Sequence, residues 1–128
     1  MSLKILILEP DVAMAKVYKL YLEQRKHQVS VCQTSQQAID AIDKALPDVI
    51  VMETQLAGHN GYEFLYELRS YPDWQNVAVI IHSVVPRQGF YAKAPAATEL
   101  GVKDYLYKPT CSLAKLLYSV EHFALVSK

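Results

Sequence analysis

The chain has 128 residues, 52% of them apolar, and a formal net charge of zero. A chain of this size fills one ordinary domain and buries roughly two thirds of its unfolded surface, enough for a core without staples. The composition excludes a disordered chain, and the balanced charge argues against direct nucleic-acid binding or attraction to an anionic membrane.

Five short runs are rich in β-branched or aromatic residues: Leu3–Leu8, Val29–Cys32, Val49–Met52, Val77–Ile81 and the shorter Tyr105–Tyr107. Near-continuous apolar runs of this length fit strands covered on both faces, as in a parallel sheet. Segments with helical spacing lie between them. Ala13, Val17 and Leu20 form one stripe, with Met14 and Tyr21 alongside; Ala38, Ile39, Ile42 and Leu46 form a second. Phe64, Leu65 and Leu68 form a third, and Leu113, Leu116, Leu117, Val120 and Ala124 a long final one. Asp11 and Ser35 suit N-caps, Pro47 closes the second helix, and Gly101 follows the fourth. The stretch from Val84 to Pro95, broken by Pro86, Gly89 and Pro95, reads as a loop, with a short fourth helix starting near Pro95. The expected architecture is α/β. Strands alternate with helices five times, which implies right-handed crossovers and a doubly wound parallel sheet in a single domain over residues 1–128.

Cys32 and Cys111 suit a reducing compartment better than a disulfide scaffold, no apolar run reaches the length of a membrane span, and no signal peptide opens the sequence. A cytoplasmic protein is expected. His27, His59, His82 and His122 form no metal-ligand pattern, although His59 and His82 fall near the rim of the pocket described next. A helix start such as that near Cys111 can lower a thiol pKa, but a packed, inert thiol is the plainer reading.

In an open doubly wound sheet, ligands bind beyond the carboxyl ends of the strands, where the strand order reverses. Glu9-Pro10-Asp11 follows the first strand, Glu53-Thr54-Gln55 the third, His82-Ser83 ends the fourth, and Lys108-Pro109 follows the fifth. Grouped carboxylates suit a hard cation such as Mg²⁺, and a lysine and a hydroxyl beside them suit a phosphoryl group held by that cation. Taken singly, each residue also reads as a solvated cap or a surface lysine; their joint placement carries the argument.

The segments Pro47–Glu53, Gly58–Glu63 and above all Gly101-Val102-Lys103-Asp104-Tyr105-Leu106-Tyr107-Lys108-Pro109 resemble the response-regulator receiver family of two-component signalling, over essentially the whole chain. The resemblance implies a flavodoxin-like five-stranded sheet in the order 2-1-3-4-5, in three αβα layers. It also implies roles. Glu9 takes the place of the first acidic residue, Pro10 that of the second, which normally binds Mg²⁺, and Asp11 a position that is often acidic. Glu53 stands where the phosphoacceptor aspartate is usual. Gln55 stands where a backbone carbonyl completes the metal shell. Ser83 matches the hydroxyl that binds the phosphate, Tyr105 the aromatic whose rotamer reports activation, and Lys108 the lysine that pairs with the acceptor.

Two departures strike one step. Pro10 removes a carboxylate, so Mg²⁺ binding through Glu9, Asp11, Glu53 and Gln55 should be weak or lost. Glu53 is longer than aspartate by one methylene, about 1.5 Å, and a misplacement on the order of 1 Å can cost roughly a hundredfold in a transfer reaction. The Ser83–Gly101 segment is also about three residues longer than is usual in the family, in a loop that tolerates insertion. Asn60 and Ala57 replace the common Asp and Pro of the loop after the third strand.

The expectation is a pseudo-receiver, not an enzyme, that is not phosphorylated at Glu53 and acts through protein contacts. Glu53 either reaches toward Ser83 and Lys108 as a stand-in for a phosphoryl group or simply pairs with Lys108. A conventional phosphorylatable response regulator is the nearest alternative, and a small metal-dependent phosphohydrolase or a flavodoxin-like carrier the alternatives of other classes. Expected partners are a sensor kinase or a downstream output protein. The face of the fourth helix, fifth strand and fifth helix, with Tyr105, Tyr107, Tyr118 and His122 and with Phe90 and Tyr91 beside it, suits partner contact or a homodimer.

Overall fold

The structure, a computed structural model, describes residues 1–57 and 61–126. Five strands, β1 (Lys4–Leu8), β2 (Gln28–Cys32), β3 (Val49–Met52), β4 (Ala78–Ser83) and β5 (Val102–Tyr107), alternate with helices α1 (Val12–Glu23), α2 (Ser35–Lys44), α3 (Tyr62–Ser70), α4 (Arg87–Lys93) and α5 (Leu113–Val126). Short 3-10 turns at Pro72–Trp74, Pro95–Glu99 and Lys108–Thr110 complete the path. The sheet is wholly parallel, in the order β2-β1-β3-β4-β5, as the resemblance implies.

Period-two alternation splits the core into two layers. Leu6, Leu8, Ile50, Met52, Val79 and Ile81 point toward α2, α3 and α4, where Ala38, Ile42, Phe64, Leu65, Leu68 and Phe90 meet them. Ile5, Ile7, Val49, Val51, Ala78 and Ile80 point the other way, onto Tyr18 and Leu22 of α1 and Leu116, Val120 and Ala124 of α5. Both faces of the sheet are therefore covered, which accounts for the unbroken apolar runs. Register then aligns the carboxyl ends: Leu8 lies opposite Met52, Met52 opposite Ile81, and Ser83 opposite Tyr107. The residues that follow β1, β3 and β5 emerge on one edge of the sheet, beside the last residues of β4.

Three local expectations are corrected. In α1 the buried face is Ala15, Tyr18 and Leu22, while Val17 is 42% and Leu20 55% exposed. The helical period was right and its phase wrong, because Tyr18, with a polar tip, holds the place where an aliphatic residue was sought. The cap of α2 is Thr34, one residue before Ser35, with its hydroxyl accepting from the Gln37 N–H at 3.1 Å. The fourth helix begins at Arg87, inside the segment read as a loop. Pro86 does not break it, because the position just before a first turn needs no N–H donor; Phe90 anchors the helix in the core, and the stretch from Pro95 forms a 3-10 turn. No helix among the described residues is long and apolar enough to cross a membrane.

Candidate functional site

The pocket sits where β1, β3, β4 and β5 end. Glu53, the first residue past β3, is buried, and its carboxylate accepts five hydrogen bonds. Oε2 takes the Thr54 N–H at 2.7 Å, the Gln55 N–H at 3.0 Å and the Ser83 hydroxyl; Oε1 takes the Val84 N–H at 3.1 Å and the Lys108 ammonium at 2.8 Å. Lys108 also donates to Oε1 of buried Glu9, whose Oε2 accepts the Asp11 N–H at 3.1 Å. Burial alone would push the Glu53 carboxyl up. Hydrogen bonds from Lys108, Ser83 and the Gln55 N–H, together with the Lys108 charge, outweigh it and hold Glu53 below the usual carboxylate value. Burial likewise works against the charge on Lys108, and its bonds to Glu53 and Glu9 reverse the balance and raise its pKa.

Ser83 joins the carboxylate to the loop that follows β4. Its one hydrogen goes to Glu53, so its 2.8 Å contact with Thr54 Oγ1 has Thr54 as donor; it also accepts the Val85 N–H at 2.9 Å. Tyr105 completes the chain by donating its phenol to the Val85 carbonyl at 2.6 Å, with its ring against Phe90 and Tyr91. The Val84–Val85 backbone is thus held by Glu53, Ser83 and Tyr105 together. Gly61, at φ +79°, closes the other side. A Cβ there would come within 3.0 Å of Thr54 Cα and 3.1 Å of Met52 Cε, so the start of α3 can lie against the Glu53 loop only with glycine at this position.

The structure thus brings Glu9, Glu53, Ser83, Tyr105 and Lys108 together. Asp11 lies at the margin, exposed, with Oδ1 turned back to cap α1 through the Met14 N–H. Gln55 is exposed and contributes its N–H to Glu53. His59 lies outside the described residues. His82 is buried one residue before Ser83, edge-on to Tyr18 with ring centroids 4.9 Å apart; burial, then the nearby Lys108 charge, bring its pKa down to about 4, against a small opposing pull from Glu53. Cys111 is partly buried, and burial pushes its thiol pKa up. Sequence reading missed Thr54, Tyr18 and the N–H groups of Val84 and Val85. Thr54 could have been found as the hydroxyl next to Glu53 at a strand end; the backbone donors leave no trace in the side-chain pattern.

These residues do not suit Mg²⁺. The ion demands near-ideal octahedral oxygen coordination at about 2.0–2.1 Å. Here all four carboxylate oxygens of Glu9 and Glu53 accept protein donors, an ammonium lies between them, and Pro10 offers no carboxylate. Among the described residues no three His, Cys, Asp or Glu side chains cluster in a way that would hold a metal.

The comparisons agree with this fold. The response regulator receiver domain family matches residues 5–121. The transcriptional regulatory protein DesR of Bacillus subtilis (strain 168) is 34% identical over 103 residues, which cover 79% of this chain and 48% of DesR, so the chain spans about half the length of that relative. A putative response regulator from Chloroflexus aurantiacus J-10-fl superposes with a TM-score of 0.82 at 26% identity, over 98% of this chain and 99% of that one. The receiver domain of sensor histidine kinase PA1611 from Pseudomonas aeruginosa PAO1, solved with a magnesium ion coordinated in its active-site cleft, superposes with a TM-score of 0.82 at 22% identity, over 97% of this chain and 98% of that one. The buried Glu53–Ser83–Lys108 pocket at the end of a 2-1-3-4-5 sheet and the match over nearly the whole chain lead to one conclusion: this chain belongs to the response regulator receiver domain family.

Proposed function

We propose that this chain is an atypical receiver module of a two-component system in which Glu53 stands in for a phosphoryl group and accepts no phosphate. The observation that carries this reading is the set of donors on the Glu53 carboxylate. A simple ion pair would engage Lys108 alone. Glu53 also takes the Ser83 hydroxyl and the Val84 N–H, on the loop that a bound phosphoryl group would have to hold. With the Ser83 hydroxyl, the Val84 N–H and the Lys108 ammonium already held by carboxylates, an incoming anion would meet repulsion from Glu9 and Glu53 and competition for those donors.

On this reading the module needs no Mg²⁺. Residues 1–128 act as one cytoplasmic unit, and the loop after β4 is fixed in one state that partner proteins read. The partner is a kinase, an output protein or a second copy, and the contact runs through α4, β5 and α5, where Tyr107 and Tyr118 are exposed. The test is to incubate the protein with a small acyl-phosphate donor and Mg²⁺ and to weigh it intact. An unchanged mass is expected; a stable single phosphoryl adduct on Glu53 overturns the proposal.

A further inference from the structure

A second feature lies on the flank of the molecule, away from the Glu53 pocket. Between α2 and the 3-10 turn Pro72–Trp74 runs a groove of about 320 Å³, with Ile39 in its floor, Tyr71 and Trp74 in its wall, and Asp40, Asp43 and Asp73 around its rim. The volume is at the low end for ligand pockets, about 300–1,000 Å³, and fits one large side chain better than a cofactor. Tyr71 and Trp74 lie with ring centroids 4.3 Å apart; Trp74 is nearly buried, while Tyr71 is 42% exposed and turns an aromatic surface to the groove.

The surrounding charge is one-sided although the chain as a whole is neutral. Asp40, Asp43, Glu63, Glu67 and Asp73 are all exposed on α2, α3 and the turn after them, and Lys44 is the exposed base among them. The other base of this flank, Arg69, does not offset them at the surface. Its guanidinium is turned onto the carbonyls of Leu100, Trp74, Gln75, Val77 and Gly101. Asp40 accepts an amide hydrogen from Gln36, whereas the carboxylates of Asp43 and Asp73 have no hydrogen-bond or ion-pair partner among the described residues. An aromatic wall beneath unpaired carboxylates is complementary to a planar, weakly hydrated cation that can stack and fork at once.

We propose that this groove docks an arginine side chain from a basic segment of a partner protein. Arginine is favoured over lysine because its guanidinium can lie flat on Tyr71 while its N–H groups reach Asp43 and Asp73. A lysine ammonium holds its water more tightly and offers no flat face. The site is separate from the Glu53 pocket and does not depend on the function proposed for it.

Trp74 is the chain's one tryptophan, so its emission reports the groove directly. The experiment titrates the full chain with a short peptide of alternating glycine and arginine at ~0.15 M salt, beside counterparts carrying lysine or the neutral isostere citrulline. A saturable change in Trp74 emission is expected with the arginine peptide. Binding should be about tenfold weaker to the exposed double variant Asp43→Asn/Asp73→Asn, as the loss of two ion pairs implies, and at least about tenfold weaker with citrulline, which loses the cation–aromatic contact as well. Lys44→Ala should tighten binding, since it removes the competing cation. Equal binding of arginine and citrulline peptides, or no loss in the double variant, overturns the proposal. So does free arginine amide binding as tightly as the peptide, or an emission change that tracks protein concentration without peptide, which would make a second copy the occupant.

Discussion

The Lys108 ammonium lies 2.8 Å from Glu53 Oε1 and donates at the same time to Glu9, so one cation neutralises part of a buried pair of carboxylates. Removing the cation leaves both anions buried at the end of the sheet. Breaking a buried ion pair from one side costs about 3–5 kcal/mol, more than a surface pair ever contributes. Lys108→Met should lower stability by about that amount at neutral pH, measured by urea unfolding. The loss should shrink in acid as Glu53 takes up a proton. The triple variant Glu9→Gln/Glu53→Gln/Lys108→Met should recover much of the loss. If Lys108→Met alone costs less than about 1 kcal/mol, in the range of an exposed pair, the three groups do not act as a unit.

On the proposed function Pro10 and Glu53 block the same step, so reversing one should not be enough. Glu53→Asp shortens the side chain by about 1.5 Å and vacates the donors on Ser83 and Val84, but leaves position 10 without a carboxylate. Pro10→Asp supplies that carboxylate but leaves the donors occupied. The expected outcome is a phosphoryl adduct, read by intact mass after an acyl-phosphate donor and Mg²⁺, on Pro10→Asp/Glu53→Asp and on neither single variant at comparable yield. Full labelling of Glu53→Asp alone would show that position 10 does not limit the chemistry.

His82 makes stability fall in mild acid. Its folded pKa of about 4 lies below the ordinary 6.5, chiefly because burial disfavours the imidazolium. A depressed folded pKa means stability that is fully present above pH 6.5 and lost as the pH falls toward 4. By linkage the loss amounts to about 3 kcal/mol. Urea unfolding from pH 7 to pH 4 should show that slope, and His82→Leu should flatten it. Glu53, also depressed, adds its own loss at lower pH, below its ordinary value of 4.5, so the two contributions separate along the pH axis.

The strands were legible because both faces of the sheet are covered, so runs such as Leu6-Ile7-Leu8 and Val49-Ile50-Val51-Met52 carry no polar interruption. The phase of α1 was not legible, since Tyr18 serves as a core residue whose ring faces His82 and Lys108. The start of α4 was hidden by Pro86, which reads as a breaker in one dimension and as a helix start in three. In the pocket, Glu9, Glu53, Ser83 and Lys108 were visible as residues at strand ends. The N–H groups of Thr54, Gln55, Val84 and Val85 were not, because any residue except proline supplies them. Those donors, beside Lys108, are what the proposed stand-in role of Glu53 rests on.

Arg69 is the clearest case of a residue whose role lies only in the fold. It stands in the last turn of α3, beside buried Leu68, and an arginine is ordinarily solvated. Yet it donates to Leu100 O at 2.8 Å, Val77 O at 2.9 Å, Trp74 O at 3.1 Å, Gln75 O at 3.2 Å and Gly101 O at 3.3 Å. It thereby ties the end of α3 to the turns entering β4 and β5, with burial lowering its pKa from a value far above neutrality. Removing it orphans carbonyls at a part-buried site, each worth about 1 kcal/mol or more when left unpaired. Arg69→Ala should therefore cost about 2–4 kcal/mol. Arg69→Lys should recover less than half of that, because one ammonium cannot span five carbonyls spread over two turns. Hydrogen exchange localises the effect: amides from Trp74 to Ala78 and from Leu100 to Val102 should lose protection while those of β1 keep theirs. Uniform loss across the sheet would mean that Arg69 acts on global stability and not as a tie between these turns.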